Sequence, residues 1–192
     1  AGAMLPKAYK PLEAILKSID LNRYEFENVE FHFIGTGKSP DDVDGYNIKP
    51  LAEKYNLWQN IVFEYPKRIP YLDVLTHLNI ADGIFILGST EAHYTPSKLY
   101  QAVLSGKSIL AVLHDKSSAV DIVNKSKGGM VFPFNGEEEI NKIEYEFPYF
   151  FKEYKNWLKH FDPANVDQSA FNNYSAKNVT SQLVTLIEKS IS

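Results

Sequence analysis

Four consecutive residues, Thr95, Pro96, Ser97 and Lys98, place two hydroxyls, a proline and an ammonium group directly after an apolar run ending at Leu87 and a short polar loop. Threonine at an N-cap and proline at the first helical position make a good helix start, because the N–H that proline lacks would have had no partner there. The free N–H groups at such a start attract anions, and Ser97 and Lys98 add a donor and a cation at the same place. The chemistry this spacing suggests is phosphate binding. The same residues also begin helices that bind nothing, with the lysine simply in water. Residues 89–94, which include Glu91, His93 and Tyr94, shift the balance towards a ligand, since a tight strand-to-helix turn needs fewer polar residues.

Other constellations carry less. Gly35-Thr36-Gly37 follows a strand-like run, but Ser39-Pro40 and three aspartates come next instead of a helix, so it is no dinucleotide fingerprint. Gly35 and Gly37 form either a ligand-facing turn or a plain strand exit. The histidines at 32, 77, 93, 114 and 160 show no metal-ligand spacing, and only His93 is placed at the site. His114-Asp115 either touches ligand or starts a loop. Asp41, Asp42 and Asp44 read as a solvated loop, and no metal is expected. The aromatic cluster of Phe147, Tyr149, Phe150, Phe151, Tyr154 and Trp157 reads as the packing face of a terminal helix, with peripheral membrane contact as the alternative.

Positioning such a loop requires a scaffold, and the hydrophobic periodicity supplies one. Short β-rich runs at 29–34, 61–65, 83–87, 108–113 and 130–132 alternate with helical patterns at 7–18, 48–56, 70–80, 96–105 and 117–126. That alternation predicts right-handed crossovers and an α/β, Rossmann-like, mostly parallel sheet flanked by helices. The near-continuous apolar runs at 84–87 and 109–113 fit central strands buried on both faces. After Asn135 the pattern is helical only, at 137–143, 147–161 and 176–191, and this tail is expected to pack back over the sheet. In an open parallel sheet, ligands sit outside the carboxyl ends of the strands, which is where residues 88–98 fall.

Bulk properties bound the rest. With 192 residues and 44% hydrophobic content the chain can bury one core, so a single domain over residues 5–192 is expected. Ala1-Gly2-Ala3-Met4 look like residues left by cloning and are set aside. A net charge of −4 argues against a nucleic-acid partner. The absence of cysteine excludes a disulfide scaffold and fits a cytoplasmic setting.

The run "PSKLYQAVLSGKSILAV", preceded by "ADGIFILG" and followed by "GGMVFPFN", resembles the C-terminal donor-binding domain of group 1 glycosyltransferases of the GT-B fold, most nearly the bacterial surface-polysaccharide type. "VEFHFIGTG", "NIVFEYPKRIPYLDVL" and "YSAKNVTSQLVTLIEKSI" agree in order, so the likeness runs from about Tyr9 to Ile191. It implies a nucleotide-diphosphate sugar as substrate and no bound metal. Tyr94, Thr95, Pro96, Ser97 and Lys98 would hold the diphosphate, Arg68 and Ile69 would lie against the base, and Gln101 would face the ribose. The family commonly has two glutamates eight positions apart. Here Gln101 takes the second place and His93 the first, with Glu91 nearby, and which of Glu91 and His93 serves stays open. The N-terminal acceptor domain of such an enzyme, and the first strand and basic loop of the donor domain, have no counterpart in these residues. A sugar-nucleotide epimerase of the same fold is the alternative enzyme, and a flavodoxin-like binding module the alternative outside enzymes. No strand ends in the aspartate a receiver domain would phosphorylate.

Overall fold

The computed structural model describes residue 2 and residues 4–191, so Ala1, Ala3 and Ser192 lie outside the described residues. Five strands form two parallel sheets. β1 (Phe31–Ile34) pairs with β2 (Val62–Tyr65), and β3 (Gly83–Leu87), β4 (Ser108–His114) and β5 (Gly129–Phe134) pair in that order. Helices α1 (Tyr9–Leu21), α2 (Lys49–Lys54), α3 (Tyr71–Ile80), α4 (Leu99–Leu104), α5 (Ser118–Ser126), α6 (Ile140–Leu158) and α7 (Ala176–Ile191) connect and flank them. The α/β class with parallel sheets is therefore as the periodicity predicts.

One apolar layer runs beneath both sheets. The stripe Leu12, Ile15, Leu16 and Ile19 on α1 meets Phe147 and Phe151 on α6, and both helices close over Phe31 and Val62 from one sheet and Leu110, Val112 and Phe132 from the other. Each such side chain taken fully out of water contributes about 1.5–3 kcal/mol. Phe26 stacks on Phe151 at 4.5 Å between centroids, and Phe150 meets Phe132 edge-on at 5.4 Å. On the opposite face Ile84, Ile86, Ile109, Ala111 and Leu113 pack against α4 and α5. Every residue of β4 is buried, which explains its unbroken apolar run.

Local rules set the ends of α5. The Ser117 hydroxyl accepts from the Ala119 N–H at 3.3 Å, and Lys127 closes the helix in the left-handed region at φ +54° ahead of Gly128.

Two features of the tail differ from the sequence pattern. Residues 140–158 form one helix instead of two segments, with Pro148 inside it. The bond Pro148 cannot donate is offset by the burial of Phe147, Phe151 and Tyr154 around it. Only α6 packs back over the sheet. α7 leaves Val179, Leu183, Leu186 and Ile187 exposed, because both faces of the three-stranded sheet are already occupied.

Candidate functional site

The carboxyl ends of the strands meet around the N-terminal arm. Gly2, set aside on sequence, donates its N–H to the Ile34 carbonyl at 2.8 Å, and Thr90 donates to the Lys7 carbonyl at 3.1 Å. Met4 packs against the core. The arm thereby ties the exit of β1 to the exit of β3.

The Lys98 side chain and the backbone of Arg68 lie near this arm, while the Arg68 guanidinium donates to the Lys38 carbonyl at 3.5 Å. The Lys98 Cε lies 3.9 Å from where a side chain on Gly2 would begin. On the other side, a side chain on Gly35 would begin 3.6 Å from the Arg68 Cα and 3.8 Å from the Gly2 nitrogen. Gly35 sits at φ +71°, a conformation that calls for glycine. Arg68 and Lys98 are exposed, and neither pairs with a carboxylate among the described residues.

The loop before α4 departs from the expected capped start. α4 begins at Leu99 with Lys98 as its cap residue and without a side-chain cap bond. Thr95 is not the cap, because its hydroxyl lies 2.7 Å from the Ser118 hydroxyl at the start of α5. The Ser117 hydroxyl likewise donates to the Tyr94 carbonyl at 2.6 Å. Pro96 is buried, and its carbonyl accepts from Leu99 in a tight turn. The N–H groups of Ser97 and Lys98 make no hydrogen bond among the described residues. These two donors and the ammonium are what the loop offers to a ligand. The side chain of Gln101, one turn further, has its Oε1 buried without a partner. Burial holds the Tyr94 phenol above its ordinary pKa, so it is a neutral hydrogen-bonding group throughout the physiological range.

Other predicted residues divide. Glu91 lies near the crevice but its carboxylate is held by Lys7 at 3.2 Å. His93 is exposed, and Ile69 is half-buried. The Gly35-Thr36-Gly37 turn is a strand exit in its backbone chemistry: Gly35 and Gly37 donate to Tyr65 and Pro66 at 2.7 and 2.9 Å, leaving neither amide for phosphate. Among the described residues, no three acidic, histidine or cysteine side chains come together as a metal site. None of their helices is long and apolar enough to cross a membrane.

Glu64 was not singled out by its sequence, although it is a lone charge inside the apolar run of β2. It is buried, and its two oxygens accept from the Thr36 hydroxyl at 2.5 Å and from the N–H groups of Asn47, Ile48 and Lys49 at 2.8–2.9 Å. It thus anchors the turn after β1 to the start of α2. His114, at the end of β4, is buried with its Nδ1 2.8 Å from an Asp115 oxygen and accepting from Lys116 N–H at 3.1 Å. Its Nε2 faces Gly136, whose φ of +56° and closeness to the Thr90 carbonyl bring the exit of β5 to the same crevice.

Chemically, the loop after β3 presents the Lys98 ammonium and two amides without hydrogen-bond partners among the described residues. No protein-family model matches the chain, and no curated protein and no solved structure is similar to it.

Proposed function

We propose that this chain is the donor-binding domain of a glycosyltransferase and holds a nucleotide-diphosphate sugar at the carboxyl ends of its strands. The supporting observation is the exposed Lys98 side chain beside Gly2, without a carboxylate partner among the described residues, with Arg68 following next to Gly35. In this reading the diphosphate lies against the N–H groups of Ser97 and Lys98 and the Lys98 ammonium. Arg68, with Ile69, flanks the base, where a planar guanidinium can stack. Gln101 turns its unpartnered oxygen to a ribose hydroxyl, the kind of donor that oxygen lacks.

The contribution to catalysis is electrostatic. As the glycosyl bond breaks, negative charge grows on the departing diphosphate, and donors and a cation fixed in advance around it stabilise that charge. The acceptor is bound by a second domain, so this chain alone transfers no sugar. A transferase assay with this chain as the sole protein tests that part.

Calorimetric titration with UDP, GDP and inorganic pyrophosphate tests the site. Binding of at least one nucleoside diphosphate is expected. Lys98→Ala is expected to weaken it by roughly 1–3 kcal/mol, the range of a charge-assisted hydrogen bond, while thermal stability stays as in the parent because the side chain is exposed. A folded Lys98→Ala protein that binds as the parent does would remove the reading.

A further inference from the structure

The run Thr95-Pro96-Ser97-Lys98 has the composition of a capped helix start but is not one. With Thr95 as the cap, the amides of Ser97 and Lys98 would be the second and third of the helix, the two from which a cap hydroxyl accepts. The backbone is close to that arrangement. Lys98 has helical angles, φ −75° and ψ −11°, and Leu99 donates to the Pro96 carbonyl at 3.0 Å, so the chain already bends as a first turn does. What is missing is the cap bond itself, and α4 starts only at Leu99.

The hydroxyl that would make this bond is engaged elsewhere. Thr95 Oγ1 lies 2.7 Å from Ser118 Oγ. One residue earlier, the Ser117 hydroxyl donates to the Tyr94 carbonyl at 2.6 Å and accepts from the Ala119 N–H at 3.3 Å, so it both fixes the loop backbone and caps α5. The two serines therefore act on different parts of the loop. Ser117 holds the chain, and Ser118 holds a side chain. Ser118 is exposed, and its hydroxyl makes no other hydrogen bond among the described residues, so α5 keeps its cap without it.

We propose that Ser118 is a positioning residue for the loop after β3: by holding the Thr95 hydroxyl away from α4, it keeps the Ser97 and Lys98 amides free for an oxygen of a phosphate ligand. The proposal deepens, and rests on, the reading of this loop as the diphosphate site. Thr95 and a phosphate oxygen are alternative acceptors for the same donors, since each backbone N–H supplies a single proton. Passing from Ser118 to the amides takes a change of Thr95 rotamer, while the Ser117 bond keeps the backbone in place. With Thr95 on Ser118, α4 is uncapped and the loop is open to an anion. With Thr95 on the amides, the helix is capped and the loop is closed to it.

Ser118→Ala tests this, because it frees Thr95, leaves the Ser117 cap intact and puts a good helix former at an exposed position. Amide hydrogen exchange of the ligand-free protein and titration with UDP are compared in the parent, Ser118→Ala, Ser118→Thr and the double variant Thr95→Val/Ser118→Ala. A cap of ordinary strength is expected to slow exchange at Ser97 and Lys98 about fivefold in Ser118→Ala and to weaken UDP binding by a similar factor. Ser118→Thr keeps the hydroxyl and is expected to behave as the parent. In the double variant the cap is removed again, so the two amides should return to the parent's exchange and UDP should bind more tightly than to Ser118→Ala alone. A merely structural role for Ser118 would not be reversed by a second truncation. Equal exchange at Ser97 and Lys98 in the parent and Ser118→Ala would overturn the proposal, as would slowing that persists in the double variant or that leaves UDP affinity unchanged. A parent that binds no UDP would remove the nucleotide reading instead, and the exchange comparison alone would then decide whether Ser118 diverts the cap.

Discussion

The sheet of β3, β4 and β5 is covered on both faces, by α1 and α6 below and by α4 and α5 above. The sheet of β1 and β2 is covered on one. Its upper face leaves His32 exposed and stacked on Phe63 at 4.9 Å, with Tyr65 exposed beside it, and α3 stands near without burying a residue. Both sheets come from the same kind of sequence, short β-rich runs between amphipathic helices. What separates them is how many neighbours each strand has. A strand with two partners and two covered faces fixes its side chains by packing, whereas one with a single partner, such as β2, depends on polar anchors such as Glu64.

Core truncation should expose this difference most. Leu113→Ala in β4, fully buried, is expected to cost about 2–5 kcal/mol, because it leaves a cavity beneath α4 and α5. Ile34→Ala in β1, half-buried, should cost less than about 1.5 kcal/mol. Urea midpoints measure both, and equal losses would break the comparison.

Next in size is the anchor. Glu64→Ala removes the acceptor of four hydrogen bonds and strands three backbone N–H groups at the start of α2. A loss of about 3 kcal/mol is expected from the buried donors left without a partner. Exchange should speed up in residues 36–49 before it does in β4. If β4 opens together with that segment, the two sheets are one cooperative unit and the distinction between them is lost.

What the sequence made legible follows the same division. β3 was readable to the residue and β4 nearly so, because burial on both faces writes a continuous apolar run that no loop imitates. α3 was readable as a helix, since its period is local. That it buries no residue fully was not, because periodicity shows which face is apolar and not what lies against it. The division of the strands into two sheets left no side-chain signal, being a property of backbone pairing. Near the crevice, Lys98 stands out in the sequence by its place at a helix start and Arg68 only through the resemblance, whereas Gly2 does not, as four small or apolar residues at a chain end carry no pattern. The Thr95 cap failed for a tertiary reason: Ser118, 23 positions away, competes for its hydroxyl.

A smaller effect sharpens the role of the loop. Gln101→Leu removes a buried oxygen that has no partner, so stability should stay within about 1 kcal/mol of the parent or rise. Affinity for a nucleoside diphosphate should fall while affinity for inorganic pyrophosphate holds, because the group it is proposed to meet is on the ribose. Parallel losses for both ligands would place Gln101 outside the ribose contact.

The claim that a ligand sits where the two sheets meet is tested most directly by titrating UDP into isotope-labelled protein and following the amides of Gly2, Gly35, Arg68, Ser97 and Lys98. Gly35 and Arg68 belong to the exits of β1 and β2, and Ser97 and Lys98 to the loop after β3. The account predicts that both groups, with Gly2 between them, shift together along one saturation curve and that Arg68→Ala and Lys98→Ala each weaken that curve. Shifts confined to one of the two groups, or none at millimolar UDP, would contradict it.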